Sequence, residues 1–181
     1  PTIPIYHLNA ARSWEHLGEK EKSLARYVDA ARLLFRQEEY DELSGLLPKI
    51  EELDKNNPEV LAVKGKIAFG NGNFETAEEI FAVLLSKSKT DSGIHYLYGM
   101  LLSRRGEREA ASAYFGKAAE MEPDYYLYWF RLAENELLLG KDAGPAIRTA
   151  LELAPDDIWV LNLAGLHRLE LSDNAGAYKV L

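Results

Sequence analysis

Small and large apolar residues return along this chain at a fixed interval. A small or compact apolar position recurs at Ala10, Leu43, Ala77, Ala111, Ala143 and Ala177, with spacings of 33, 34, 34, 32 and 34. Four residues after each stands a larger side chain: Trp14, Leu47, Phe81, Phe115, Ile147 and Leu181. Three further on come Leu17, Ile50, Leu84, Ala118 and Ala150. Offsets of four and three put such residues on one face of an α-helix. A second set lies upstream at Ala31, Gly65, Gly99, Ala133 and Gly165, spaced by 34, 34, 34 and 32, with Tyr27, Leu61, His95, Trp129 and Leu161 four residues before. Each period therefore predicts two amphipathic helices.

Polar and glycine-rich stretches punctuate the pattern. Gly72-Asn73, Arg105-Gly106 and Gly140-Lys141 break the units in the middle. Asn57-Pro58-Glu59 supplies a cap, a proline at the first helical position and an early acid. Pro123-Asp124 and Pro155-Asp156-Asp157 end one unit and open the next. Gly65 and Gly99 fall where the two helices of a unit approach closely. A bulky residue there would push the backbones apart, which outweighs the roughly 1 kcal/mol that glycine costs a helix. Pro48 lies inside a second helix and is expected to kink it. Gly144-Pro145 is expected to delay the second helix of its unit.

The clearest unit reads His95-x-x-Tyr98-Gly99-x-x-Leu102, then Ala111-x-x-x-Phe115-x-x-Ala118, then Pro123. This resembles the tetratricopeptide repeat (TPR) family, with His95 in the usual Trp place, Tyr98 in the Leu place and Leu102 in the Tyr place. The resemblance implies an all-α, right-handed TPR-type α-solenoid of stacked antiparallel helix pairs. Neighbouring pairs share one core, because a single pair cannot bury its apolar face. The expected organisation is one solenoid over 1–181: a leading helix at 5–17, repeats at 24–57, 58–91, 92–125 and 126–157, and a partial repeat at 158–181. The chain begins without Met and stops within an expected second helix, which points to an excerpt of a longer protein or an end that meets a partner. Lys64, Glu136 and Arg168 stand where the family usually places apolar residues. They are expected to snorkel or to form local ion pairs, Glu136 with Arg168 among them.

The family also implies that first helices line a concave groove. Offsets from the small-residue column then assign groove positions to Arg32, Phe35, Arg36, Lys66, Phe69, Tyr96, Met100, Arg104, Phe130 and Glu134. Four of these are basic, although the chain carries a formal net charge of −8. Phe35, Phe69, Tyr96 and Phe130 are expected to add exposed aromatic area. Later units turn apolar at Leu127, Leu137, Leu138, Trp159 and Leu166. Such a groove suits an extended or helical protein segment bearing acids and large apolar residues. Some family members grip a C-terminal carboxylate with a Lys three residues before the small column and an Asn one after it. The Lys places here hold Val28, Ala62, Tyr96 and Phe130, so that grip is not expected. In the run Tyr125-Tyr126-Leu127-Tyr128-Trp129-Phe130, Trp129 falls in the core column. Tyr125, Tyr126 and Tyr128 are open to packing between units or to partner contact.

Composition narrows the function classes. There is no cysteine, so disulfides, thiolate zinc sites and cysteine nucleophiles are excluded. The negative balance argues against nucleic acid as a partner, because phosphate binding needs concentrated positive charge. The longest apolar run, Ile80 to Leu85, falls far short of the about 20 residues of a membrane span. His7, His16, His95 and His167 show no metal-ligand spacing, and Gly70-Asn71-Gly72-Asn73 lacks the Lys-Ser/Thr of a phosphate loop. Neither a cofactor nor a catalytic set is expected. The leading reading is a non-enzymatic protein–protein interaction scaffold or adaptor. The alternatives are a structural assembly module acting by self-association or docking, and a regulatory arm of an enzyme outside this segment.

Overall fold

A computed structural model describes residues 3–87 and 91–170. It divides into two compact units, Pro1–Thr90 and Asp91–Leu181. Among the described residues all regular structure is helical.

The first unit holds α1 (Pro4–His16), α2 (Lys20–Arg36), α3 (Tyr40–Asp54), α4 (Pro58–Gly70) and α5 (Phe74–Ser86). Consecutive helices pack on one another, and α2 also meets α4, so the first helices of successive pairs lie side by side. Its core gathers Leu24, Tyr27, Val28, Ala31, Leu34, Leu43, Ile50, Val60 and Val63. The second unit holds α6 (Ser92–Arg104), α7 (Arg108–Met121), α8 (Tyr126–Leu138), α9 (Gly144–Leu153) and α10 (Ile158–Glu170). Here α6 pairs with α7 and α8 with α9, while α7 packs on α8 and α10 on α9 and α8.

One turn geometry closes every hairpin. Gly72, Gly106 and Gly140 all have positive φ, between 65° and 83°. The residue after each turn donates its amide back to the helix just ended: Asn73 to Ala68 at 2.8 Å, Glu107 to Leu102 at 2.9 Å and Lys141 to Glu136 at 2.9 Å. This is the left-handed helix cap that glycine favours. In the α2–α3 turn the same place, 34 residues before Gly72, is taken by Glu38 at φ 59°, with Glu39 N donating to Leu34 O at 3.0 Å. Helix starts follow the sequence signals. Asn57 Oδ1 accepts from Glu59 N at 2.9 Å, and Asp91 Oδ1 accepts from Ile94 N at 2.9 Å.

The close-approach glycines behave as the spacing requires. A Cβ on Gly65 would fall 2.5 Å from Phe81 Cε1, and one on Gly99 would fall 2.8 Å from Phe115 Cε1. Opposite them Leu43, Ala77, Ala111 and Ala143 are fully buried. The Gly144-Pro145 step leaves α9 with only 10 residues. Pro48 sits inside α3, which runs through it as one element.

Four expectations change. In α1 the core residue is Ala11, not Ala10, and Leu17 is 70% exposed. Ala11 O accepts from the buried Ser23 Oγ at 3.0 Å, so this contact with α2 sets the register. The helix α2 starts at Lys20, a turn earlier than the 24–57 unit implies, because Ser23 and Leu24 are buried. In α2 the expected Tyr27 is buried, but in the later first helices the buried column is Val60, Ile94, Tyr128 and Val160. It lies one residue before Leu61, His95, Trp129 and Leu161, each of them only half-buried. The reason is visible at Tyr128, which reaches back to α6 through Tyr96 (ring centroids 5.2 Å) and Ser92 Oγ (3.1 Å). Trp129 instead donates its indole N–H to Pro123 O at 2.8 Å. The expected Ala177 and Leu181, like the rest of 171–181, lie outside the described residues.

Candidate functional site

The groove positions of the first unit lie on α2 and α4. Arg32 is exposed and pairs with Glu59 (3.3 Å) and Asp29 (3.7 Å). Phe35 is half-buried and meets Tyr40 edge-on at 6.1 Å. Lys66 is buried, with Nζ 5.4 Å from the centre of the Phe35 ring. Phe69 is half-buried against Phe74 at 5.4 Å, and Arg36 is exposed. The structure thus brings Phe35 and Lys66 together and places Phe69 in its own hairpin. Lys64 pairs with Glu51 at 2.7 Å, the local ion pair its position suggested.

In the second unit, Met100, Arg104 and Glu134 line one solvent-open cleft between α6 and α8. Ser103, Arg131 and Leu138 line it with them, and Phe115 and Asn135 form its floor. Tyr96 and Phe130 do not add exposed aromatic area: each is only 8% exposed. Tyr96 packs on Phe115 and Tyr128, and Phe130 belongs to the core with Ala133, Ile147 and Leu163. Lys66 differs from expectation in the same way. Yet Arg32, Met100 and Glu134, at the same offset as Lys66, reach the surface or the cleft, so the offset alone does not decide which side chains line the first-helix face.

Asn135 holds the floor in place. It is 2% exposed. Its Nδ2 donates to Arg108 O at 2.6 Å and Ser112 Oγ at 2.8 Å, and its Oδ1 accepts from Ser103 Oγ at 3.4 Å. One amide therefore ties α6, α7 and α8 together. Neighbouring tyrosines do similar work, with Tyr126 OH donating to Asp157 Oδ2 at 3.1 Å.

Arg131 is the cleft residue that the offset rule missed. Its Nη1 donates to Glu134 Oε2 at 2.8 Å, and its guanidinium carbon lies 5.4 Å from the Phe130 ring centre. Burial works against its charge, but the Glu134 carboxylate and Tyr96 outweigh that and raise its pKa above the ordinary arginine value. Its Nε–H is enclosed without an acceptor. Val63, Leu97 and Leu163 are buried apolar residues at the equivalent places, while α2 has Asp29 there. Burial is also the main cause that lowers the pKa of His95, with Lys117 second. His95 stacks on Tyr114 with ring centroids 5.9 Å apart, which is a packing role. Among the described residues no cluster of His, Asp and Glu is arranged to hold a metal ion, and no helix is long and apolar enough to cross a membrane.

Helix pairs with glycine and alanine at the close approach, glycine at the turn and a period of 34 define a helical-repeat scaffold. The family model of the tetratricopeptide repeat matches residues 92–125. The chain belongs to the tetratricopeptide-repeat family, and its fold is the all-α solenoid of that family. It is 34% identical over 175 residues to a TPR repeat-containing protein of Treponema pallidum (strain Nichols), covering 90% of this chain and 22% of the relative. It is 26% identical over 129 residues to human tetratricopeptide repeat protein 7A, covering 70% of this chain and 15% of that one. The chain thus spans about a fifth or less of the length of these relatives. Among solved structures, YrrB, described as a TPR protein with an unusual peptide-binding site, superposes with a TM-score of 0.64 at 17% identity, over 92% of this chain and 87% of YrrB. MamA gives a TM-score of 0.64 at 18% identity, over 94% of this chain and 89% of MamA. These likenesses extend the shared fold to nearly the whole chain. The fold is one of interaction scaffolds.

Proposed function

We propose that this chain is a non-enzymatic protein–protein interaction module that takes a peptide segment or partner helix on the first-helix face of its repeats. The observation that carries the reading is the cleft between α6 and α8. Met100 and Leu138 offer apolar area there, Arg104 and Arg131 offer positive charge, and the Asn135 network fixes the spacing of the walls. Apolar exposure continues on α10 at Leu166 and Leu169, the places equivalent to Met100 and Ser103. A partner segment with large apolar side chains and an acid fits this surface. Apolar anchors that become buried contribute about 2 kcal/mol or more, whereas exposed ion pairs contribute roughly 0.2–1 kcal/mol. Affinity therefore rests on the apolar contacts and orientation on the arginines. Rigid walls reduce the ordering cost of binding. YrrB's peptide-binding site supports the reading through likeness of fold. Because the relatives are much longer, the module acts within a larger protein.

The test is selection of a displayed library of random dodecapeptides on the full chain. Peptides are expected to enrich, and to lose binding on Leu138→Glu and on Arg104→Glu with the far-UV circular dichroism unchanged. Absence of enrichment, or binding indifferent to both substitutions, rejects the reading. A second reading, self-association, draws on the exposed Ile158, Trp159 and Leu166 of α10. It requires a sedimentation mass that rises with concentration and falls back in a Trp159→Glu, Leu166→Glu variant.

A further inference from the structure

We propose that the centre of α3 is a hinge, at which the helix opens locally around Gly45–Pro48 while both of its ends stay docked. Three observations converge there. Among the described residues Pro48 is the proline that lies inside a helix, whereas Pro4, Pro58 and Pro145 stand at helix starts. Proline has no N–H, so Ser44 finds no helical donor four residues on, and the ring crowds the Ser44 carbonyl. Gly45 lies three residues before Pro48 on the same helix face, and both are exposed. A Cβ added to Gly45 would meet nothing within 4 Å. Glycine in the open interior of a helix weakens it, and here neither a turn nor a close approach calls for it.

The third observation is the packing. Phe81, Phe115 and Ile147 fill the central place in α5, α7 and α9, and each is buried. In α3 that place holds Leu47, which is half-buried, as is Leu46. The fully buried Leu43 and Ile50 stand on either side. Further contacts hold the two ends. Tyr40 meets the Phe35 ring of α2 and lies over Gly70 of α4, leaving no room for a Cβ there. Lys49 meets Glu15 of α1, and Glu51 pairs with Lys64 of α4 at 2.7 Å. A helix held at both ends and weakened between them bends in the middle first. Opening at 45–48 lets this second helix change its length and direction without undocking. The spacing of α2 and α4, which pack side by side, then adjusts with it.

Residue-resolved amide hydrogen exchange on the full chain tests the hinge, with the equivalent places of α5 as the reference. The amides of Leu46, Leu47 and Lys49 are expected to exchange at least about a hundredfold faster than those of Ile80, Phe81 and Val83. The amide of Leu43 donates to Glu39 O as that of Ala77 does to Asn73 O, each at 3.0 Å. These two are expected to agree within about threefold. Gly45→Ala combined with Pro48→Ala should slow the three central amides at least about tenfold. Should that variant fail to fold, Gly45→Ala alone, whose methyl enters open space, is expected to slow them about fivefold. Central amides as slow as those of α5 overturn the hinge. Exchange that is fast throughout α3, Leu43 included, also overturns it, since the helix then loosens as a whole. A folded variant that leaves central exchange unchanged does the same.

Discussion

Gly99 and Gly116 stand in the two helices of one hairpin, yet they answer to different constraints. At Gly99 an added Cβ would lie 2.8 Å from Phe115 Cε1 and 3.3 Å from the Ala111 carbonyl oxygen, which is backbone and cannot swing away. At Gly116 the same atom meets nothing within 4 Å. Overpacking a tight contact costs about 1–3 kcal/mol, while replacing glycine by alanine in an open helix position gains roughly 0.5–1 kcal/mol. Gly99→Ala is therefore expected to lower the midpoint of urea unfolding and Gly116→Ala to raise it. A Gly99→Ala variant at least as stable as wild type would mean that α6 and α7 do not approach as closely as described.

At the scale of the element, the turn decides where each hairpin closes. Four turns among the described residues put glycine in the left-handed conformation, at Gly18, Gly72, Gly106 and Gly140, and the α2–α3 turn puts Glu38 there at φ 59°. The left-handed region disfavours a side chain by roughly 1–2 kcal/mol. Glu38 is exposed, so nothing in the packing requires its side chain. Glu38→Gly is expected to stabilise the chain by about 1 kcal/mol, read as a higher Tm with unchanged helix content. The same substitution at Glu39, which follows the strained position, should give no such gain. The contrast shows that helix boundaries here are set by backbone conformation as well as by apolar spacing.

At the scale of the whole molecule, polar contacts tie helices from different pairs, and one of them is pH-dependent. The Glu15 carboxylate on α1 meets the Lys49 amine on α3 and accepts from Tyr27 OH on α2 at 3.1 Å. The Lys49 hydrogen bond is the main cause that holds Glu15 below its ordinary 4.5. The Glu15 carboxylate in turn raises Lys49 above its ordinary 10.5. A lowered carboxylate contributes stability that is present above its unfolded value and is lost as pH falls through the folded one. A raised amine contributes stability that is present below its unfolded value and is lost as pH rises through the folded one. Glu15→Gln is thus expected to lower Tm at neutral pH, with the difference closing as pH falls below 4.5. A Tm difference that stays constant on acidification would show that the charge of Glu15 is not what joins α1 to α3.

The period of 34, the glycine and alanine pairing at Gly65–Ala77 and Gly99–Ala111, the Asn57 cap and the hairpin breaks were legible in the sequence alone. These features depend on backbone geometry and close approach, which act over a few residues and repeat with the chain. Tertiary structure alone decided which first-helix residues face outward. Tyr96, Phe130 and Lys66 carry side chains that sequence offsets place in the groove, yet packing buries them, while Arg32 and Glu134, at the same offset as Lys66, stay accessible. The same packing put Tyr128 inside ahead of Trp129. It also set Arg131 against Glu134 and Tyr96, since the partners available to a guanidinium depend on which helices come together and not on its place in the repeat.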